Sequence, residues 1–404
     1  MVKNMNTLKE NKILFIYIIL FLIISSISIY SASMYLSPLL GKLYIKQVFW
    51  YIIGIAIIML ISKISIKDIY KSSYIIYIIN ILFLILLLFV APPINGSKSW
   101  FTIGKISIQP SEFMKISLIL INAEIINSFY KSGKKISFLK ELKLVLTLLL
   151  VLAIPSILTF LEPDTGSVII YCIITFTMLF VSGIDKKWFI FFFFILILGF
   201  SSFLYIYFYK ENLFIDIFGS NFFYRMDRII NWNMKSGMQL NNSLISIGSS
   251  GIIGHGFNKA PIYFPEAGTD FIFSIYASNF GLIGIIIFIT LIMIFDLYLL
   301  RIAKNVTVNK YKYTIIGILS MIFFCQVQNI SMTVGLLPIT GITLPFISYG
   351  GSSILSYMIL LGIIVNIKED EKKKKAYKQA FAIFTINLLQ PINLIALSLL
   401  SITK

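Results

Sequence analysis

Charge is scarce in this chain. Asp, Glu, Lys and Arg make up 13% of 404 residues, whereas 58% are hydrophobic and 36 are Phe. A soluble domain carries about 25% charge, so an ordinary soluble fold is excluded. One histidine, His255, leaves no metal cluster of imidazole type to build, and it reads as a loop residue. The two cysteines, Cys172 and Cys325, lie inside apolar runs, which argues against a disulfide framework or a thiol active site and for core positions. Arginine is confined to Arg225, Arg228 and Arg301. The basic start, Met1 to Lys12, leads into an apolar run with no small-residue cleavage site, so that run is expected to be a retained helix rather than a signal peptide.

Apolar sequence is abundant instead, in blocks of about 20 residues, the length that crosses a bilayer core. Ten such blocks cover 13–30, 44–61, 74–90, 108–129, 144–161, 167–183, 188–209, 271–300, 313–334 and 348–367. The expected fold is an all-α polytopic membrane protein of ten transmembrane helices. Residues 1–12 form a cytoplasmic N-terminus, 13–367 the membrane domain, 210–270 a large extracytoplasmic loop between helices 7 and 8, and 368–404 a cytoplasmic basic segment followed by an apolar tail. Lys and Arg number 23 in the segments assigned inside and eight in those assigned outside, which sets both ends of the ten-helix unit in the cytoplasm. Topology thus accounts for much of the net charge of +17 and removes nucleic acid as a partner. The tail from Phe381 to Ile402 is broken by Asn387, Gln390, Pro391 and Asn393; an eleventh span, an interfacial helix and a poorly ordered end all fit it. The long loop carries aromatics and Gly pairs at intervals and is expected to be folded.

Polar groups near membrane depth are costly, so each is a functional candidate. Glu112 opens the fourth helix, with Lys115 at i+3 on the same face; a helix-orienting ion pair and a cavity-facing role are both open. Asp164, in the tight turn Glu162–Gly166, is placed to cap the sixth helix. Trp100, near Lys98 in an outer loop, suits the interfacial belt. Asp270 ends the long loop and is followed at once by Phe271, Ile272 and Phe273. That apolar wall raises a carboxylate pKa while the helix dipole lowers it, and beside a polar cavity the group can serve as a general base. Arg225 and Arg228, at i and i+3, suit phosphate, or pair with Asp216 or Asp227 within the loop.

Five motifs then carry a resemblance. They are Asn95-Gly-Ser-Lys-Ser-Trp100, Gln109-Pro-Ser-Glu112, Glu162-Pro-Asp-Thr-Gly166, Pro265-Glu-Ala-Gly-Thr-Asp-Phe271, and the run from Asn329 through Gly335-Leu-Leu-Pro-Ile-Thr-Gly-Ile-Thr-Leu-Pro-Phe-Ile-Ser-Tyr-Gly-Gly-Ser-Ser353. Together they resemble the SEDS family, the bacterial RodA, FtsW and SpoVE proteins, over about 17–367. The resemblance implies a peptidoglycan glycosyltransferase that polymerises lipid II on the outer face of the bacterial cytoplasmic membrane, by an inverting transfer, with a class B penicillin-binding protein and other elongation or division proteins as partners. Asp270 matches the essential aspartate, while Trp100, Glu112, Lys115 and Asp164 match other functional motifs. The leaving diphosphate would be stabilised by Arg225, Arg228, Lys98 or a divalent cation such as Mg or Mn. Tyr224 to Arg228 looks FtsW-like and Met332 to Thr340 RodA-like, so elongation, division and sporulation remain open. This chain departs from the pattern at Gly268 (usually His), Ser278-Asn279 (usually Glu-Glu), Asn242 (usually Gln) and His255 (commonly Lys). Rival readings are a flippase or other transporter coupled through Glu112 and Lys115, and a non-catalytic scaffold.

Overall fold

The computed structural model describes residues 11–33, 42–92, 97–104, 106–131, 138–220, 222–223, 226–227, 237–262 and 265–402. Long apolar segments become helices because hydrocarbon offers no partners to backbone N–H and C=O groups, which must therefore bond within the segment. The helices are α1 (Lys12–Ser33), α2 (Leu43–Ile61), α3 (Ile66–Lys71), α4 (Ser73–Val90), α5 (Pro110–Lys131), α6 (Phe138–Leu161), α7 (Thr165–Val181), α8 (Lys187–Tyr209), α9 (Glu211–Phe218), α10 (Met238–Gly248), α11 (Ile272–Asn305), α12 (Asn309–Thr333) and α13 (Gly351–Ile402). Among the described residues nine helices are long and apolar enough to span a membrane. The tenth expected span, α7, is an apolar helix of 17 residues.

The centre of the bundle is built from α5, α12 and α13, the spans with the largest buried shares. α13 packs on α2, α12 on α7 and α11, and α5 on α4. Packing alone gives helices in lipid little reason to associate, so interhelical hydrogen bonds matter. Asn80 Nδ2 donates to Ser117 Oγ at 2.8 Å, Asn122 Nδ2 to Thr175 Oγ1 at 3.1 Å, and Asn366 Nδ2 to the Ile61 and Ile64 carbonyls at 2.8 Å. The lysine-rich end is closed by side chains as well. Glu371 accepts from Thr307 Oγ1 at 2.9 Å and from the Val308 N–H at 3.2 Å, which fills an orphan donor at the start of α12. Lys310 pairs with Glu124 at 2.6 Å.

Several boundaries differ from the sequence expectation. α5 starts at Pro110 rather than at residue 108, because Ile106–Ile108 (β2) pairs antiparallel with Phe101–Ile103 (β1). The last span begins at Gly351 instead of 348, since Ser348 Oγ accepts from the Leu344 N–H at 2.8 Å and donates to the Thr269 carbonyl at 2.6 Å, which holds it in a loop. α11 runs on to Asn305 and is broken at Gly281. The apolar tail is no separate element: α13 continues through it to Ile402. The loop 210–270 is folded where described, holding α9 and α10.

Candidate functional site

Residues at the N-termini of α5, α7 and α13 line one cavity of about 710 Å3, at the end of the bundle opposite the lysine-rich loops. That volume lies within the range of about 300–1,000 Å3 usual for ligand sites. Its walls include Trp100, Glu112, Lys115, Asp164 and Asp270, so five of the residues singled out in the sequence meet there. Lys98 is not among the lining residues; it is exposed, and its Nζ donates to the Leu88 carbonyl at 3.4 Å. Arg225 and Arg228 lie outside the described residues.

Asp164 does cap α7, its Oδ1 accepting from the Ser167 N–H at 3.0 Å. Its Oδ2 does more, accepting from Gln109 Nε2 at 2.9 Å, Ser111 Oγ at 3.0 Å and Ser167 Oγ at 2.7 Å. One carboxylate thus ties the start of α5 to the start of α7, and four neutral donors occupy it. Its role here is to position. Glu112 and Lys115 are both buried and paired at 2.7 Å, with Ser356 Oγ of α13 donating to the second Glu112 oxygen at 3.1 Å. The pair lies within α5, the Ser356 hydrogen bond ties it to α13, and both charged residues line the cavity.

Asp270 differs in kind. The N-cap position of α11 belongs to Phe271, and no side chain caps it. Among the described residues the Asp270 carboxylate accepts no hydrogen bond, whereas its main chain is held: Asn329 Nδ2 donates to the Asp270 and Ile342 carbonyls, both at 2.8 Å. Ser348 Oγ and the Tyr349 N–H hold the Thr269 and Gly268 carbonyls at 2.6 and 2.9 Å. Phe271, Ile272 and Phe273 are buried behind it. Burial first, and then the Glu266 carboxylate, push the Asp270 pKa up to about 7, so the apolar wall outweighs the helix dipole. Gly341 faces this group, an added Cβ there lying 3.8 Å from Asp270 Oδ2.

Lys46, Gln47 and Tyr51 escaped the sequence reading. Lys46 of α2 lines the cavity and has no partner among the described residues; a single lysine at a helix end looks like a snorkelling group. Gln47 beside it donates to the Ser348 carbonyl at 3.0 Å, and Tyr51 donates to the Phe346 carbonyl, so α2 carries the loop under Asp270. Glu162 is fully buried behind the Ser97–Ser99 wall, with neither carboxylate oxygen bonded. Burial, and then Asp164, raise its pKa to about 8. His255 and Ser278 touch each other, His255 Nδ1 lying 3.1 Å from Ser278 Oγ. Among the described residues no group of three or more His, Cys, Asp and Glu is arranged to hold a metal. Glu266 and Asp270 are the lining carboxylates not already engaged with Lys115 or the Asp164 donors.

The family model for the cell cycle proteins FtsW, RodA and SpoVE matches residues 11–373. The probable peptidoglycan glycosyltransferase FtsW of Coxiella burnetii is 32% identical over 337 residues, 80% of this chain and 86% of that protein. Stage V sporulation protein E of Bacillus subtilis is 32% identical over 302 residues, 71% and 76% of the two chains. Among solved structures, a chain described under structural coordination of polymerization and crosslinking by a peptidoglycan synthase complex superposes with TM-score 0.72 at 23% identity, covering 89% of this chain and 97% of that one. The rod shape determining protein RodA of Thermus thermophilus gives TM-score 0.63 at 22% identity, covering 89% and 96%. At those identities the two structures establish the fold.

Proposed function

The chain belongs to the FtsW, RodA and SpoVE family, and on that premise we propose that it is a peptidoglycan glycosyltransferase that polymerises lipid II at the outer face of the bacterial cytoplasmic membrane. The observation that carries this reading is Asp270: a carboxylate with a pKa near 7, held by its backbone and not by its oxygens, on the wall of a 710 Å3 cavity. A general base works best with a pKa near the operating pH. Asp270 removes the proton from the acceptor sugar hydroxyl as that oxygen attacks the donor anomeric carbon. The glycosidic bond forms, the bond to the diphosphate breaks, and attack opposite the leaving group inverts the centre. An indole face at Trp100 gives the sugar an apolar surface.

The diphosphate leaves with negative charge that needs cations or oriented dipoles. Lys46 and the N-terminal turn of α13, at Gly351 to Ser353, line the same cavity and supply both. Arg225 and Arg228 of the long loop are further candidates. Glu266 and Asp270 are the carboxylates that would hold a divalent cation such as Mg or Mn, which would supply positive charge for the leaving diphosphate, since Mg needs only one or two carboxylates. The division of lysines supports a cavity end on the outside, with the N-terminus in the cytoplasm. A class B penicillin-binding protein, which crosslinks strands, is the expected partner, consistent with the synthase complex that contains the structural relative.

Purified protein incubated with labelled lipid II, alone and with candidate penicillin-binding proteins, tests the reading. Glycan strands from the parent and none from Asp270→Asn are expected. Translocation of lipid II across vesicles without strand formation would replace the polymerase with a transporter.

A further inference from the structure

The second half of the long loop is not polar throughout. From Met238 to Phe257 it contains no Asp, Glu, Lys or Arg, although Lys235 precedes and Lys259 follows. The same stretch meets the one break in α11. At Gly281 the backbone takes φ 62° and ψ −158°, so the helix stops and restarts at the next residue. A break of this kind orphans carbonyls below it and N–H groups above it. The loop supplies both sets. The Leu282 and Ile283 N–H groups donate to the Gly251 and Ile252 carbonyls, each at 3.1 Å, while the His255 and Gly256 N–H groups donate to the Ser278 and Asn279 carbonyls at 2.9 and 3.2 Å. Backbones approach so closely that a Cβ on Gly254 would lie 2.3 Å from the Asn279 carbonyl oxygen, and only glycine fits.

Everything in α11 before the break, from Ile272 to Asn279, is buried, and the loop covers it. On the covering side Ile252 is 65% exposed and Ile253 77%. Past the break α11 shows a row of exposed residues at Leu282, Ile283, Ile286 and Ile287, the surface a spanning helix gives to lipid. Ile252 and Ile253 prolong that row.

We propose that the loop Ser249–Gly256 is a re-entrant foot seated in the outer leaflet, with Ile252 and Ile253 against acyl chains. Irregular backbone is tolerated at membrane depth only where its polar groups are bonded within the protein, and the splice at Gly281 meets that condition. A protein-binding patch carries a polar, charged rim, whereas this segment is uncharged and the lysine that follows it, Lys259, suits the level of headgroup phosphates. The foot sets a height. Asp270 precedes the break by a short helical stretch, Ile272 to Phe280, about 14 Å long at 1.5 Å per residue. The base is therefore fixed relative to the lipid surface itself. This inference rests on the membrane reading of the fold and stands whether or not the chain polymerises glycan.

Nitroxide labels test it in the full-length chain alone, in nanodiscs of phosphatidylcholine and phosphatidylglycerol, with Cys172 and Cys325 replaced by Ala. Labels at 252 and 253 are expected to give a ratio of oxygen to nickel-chelate collision within about twofold of a label at Ile286, and at least about fivefold above one at Lys259. A ratio matching Lys259 would put the loop in water, and shielding from both reagents would put protein over it; either overturns the proposal. Should the cysteine-free chain fail to fold, Ile253→Trp in the otherwise unchanged sequence serves instead. Brominated lipid is expected to quench its added fluorescence, and unquenched emission overturns the proposal in the same way.

Discussion

Two spans of similar length behave in opposite ways. In α12 56% of the spanning window is buried within the protein, whereas in α8 the share is zero. α8 is held only near its ends. Trp188 Nε1 donates to Glu141 Oε2 at 2.9 Å and its ring stacks on Phe138, while Tyr207 OH donates to Asp227 Oδ1 at 3.1 Å beside Phe214 and Phe223. Between those pins the Phe-rich middle touches lipid. α12 instead carries Gln326, Gln328, Asn329 and Thr333, all buried; Gln328 and Asn329 reach the loops that form the cavity, and Gln326 reaches Asp296 of α11. Hydrophobicity therefore marks which segments enter the membrane, and polar residues mark which of them face protein once there.

That contrast can be attacked from its crowded side first. Asp270→Asn is expected to lower strand synthesis by about 10²–10⁴-fold, read with labelled lipid II. Its effect on stability runs the other way. The folded Asp270 pKa is raised, so the group contributes stability below its unfolded pKa of 3.8 that is lost as pH rises towards about 7. The Asn variant should unfold later than the parent at pH 8 and match it below pH 4 in thermal melts. Equal melting at both values would show that burial does not strain this carboxylate. For the parent, activity should climb as pH rises through about 7.

Next in size is Lys115→Met, which strands a buried Glu112. Removing one partner of a buried pair costs about 3–5 kcal/mol, seen as loss of folded protein in detergent, and adding Glu112→Gln should recover a large part of it. No recovery in the double variant would mean that Lys115 acts through packing. A smaller effect belongs to Glu162→Gln. With a folded pKa raised to about 8, Glu162 stabilises below its unfolded pKa of 4.5 and loses that contribution as pH rises towards 8. The variant should flatten the alkaline fall in melting temperature, and an unchanged fall would assign it to other groups. Smallest of all, Phe193→Leu and Phe194→Leu in the bare middle of α8 should change stability by no more than about 0.5 kcal/mol. A large loss there would show that α8 has a protein neighbour after all.

The spans were legible because runs of about 20 apolar residues have few alternatives. The cavity was partly legible: Trp100, Glu112, Lys115, Asp164 and Asp270 are polar groups at membrane depth, and they do converge. Other features left no comparable trace. The hairpin at Phe101–Ile108 is too short to separate from the helix that follows. The break at Gly281 sits within an apolar run that continues on both sides, so only its backbone bonds reveal it. Lys46 stands alone among apolar neighbours and gains meaning from tertiary contact. The bareness of α8 did leave a trace, a mean hydropathy of 2.5 against 1.7 for α12, because the polar residues that face protein lower the average.

Asn329 binds Asp270, which precedes it in the chain, to Ile342, which follows it. Ser25 of α1, Gln47 and Tyr51 of α2 and the loop residues up to Tyr349 complete the same corner. The parts are thus made at both extremes of synthesis. A nascent chain that has delivered Asp270 to the membrane has not yet delivered the amide, hydroxyl and N–H donors that fix it and its neighbours, because those leave the ribosome some sixty to eighty residues later. Until Tyr349 has emerged, the carboxylate hangs on a strand that lacks part of this corner, and a chain stopped short of Asn329 would carry Asp270 into the bilayer without the bonds that hold its backbone.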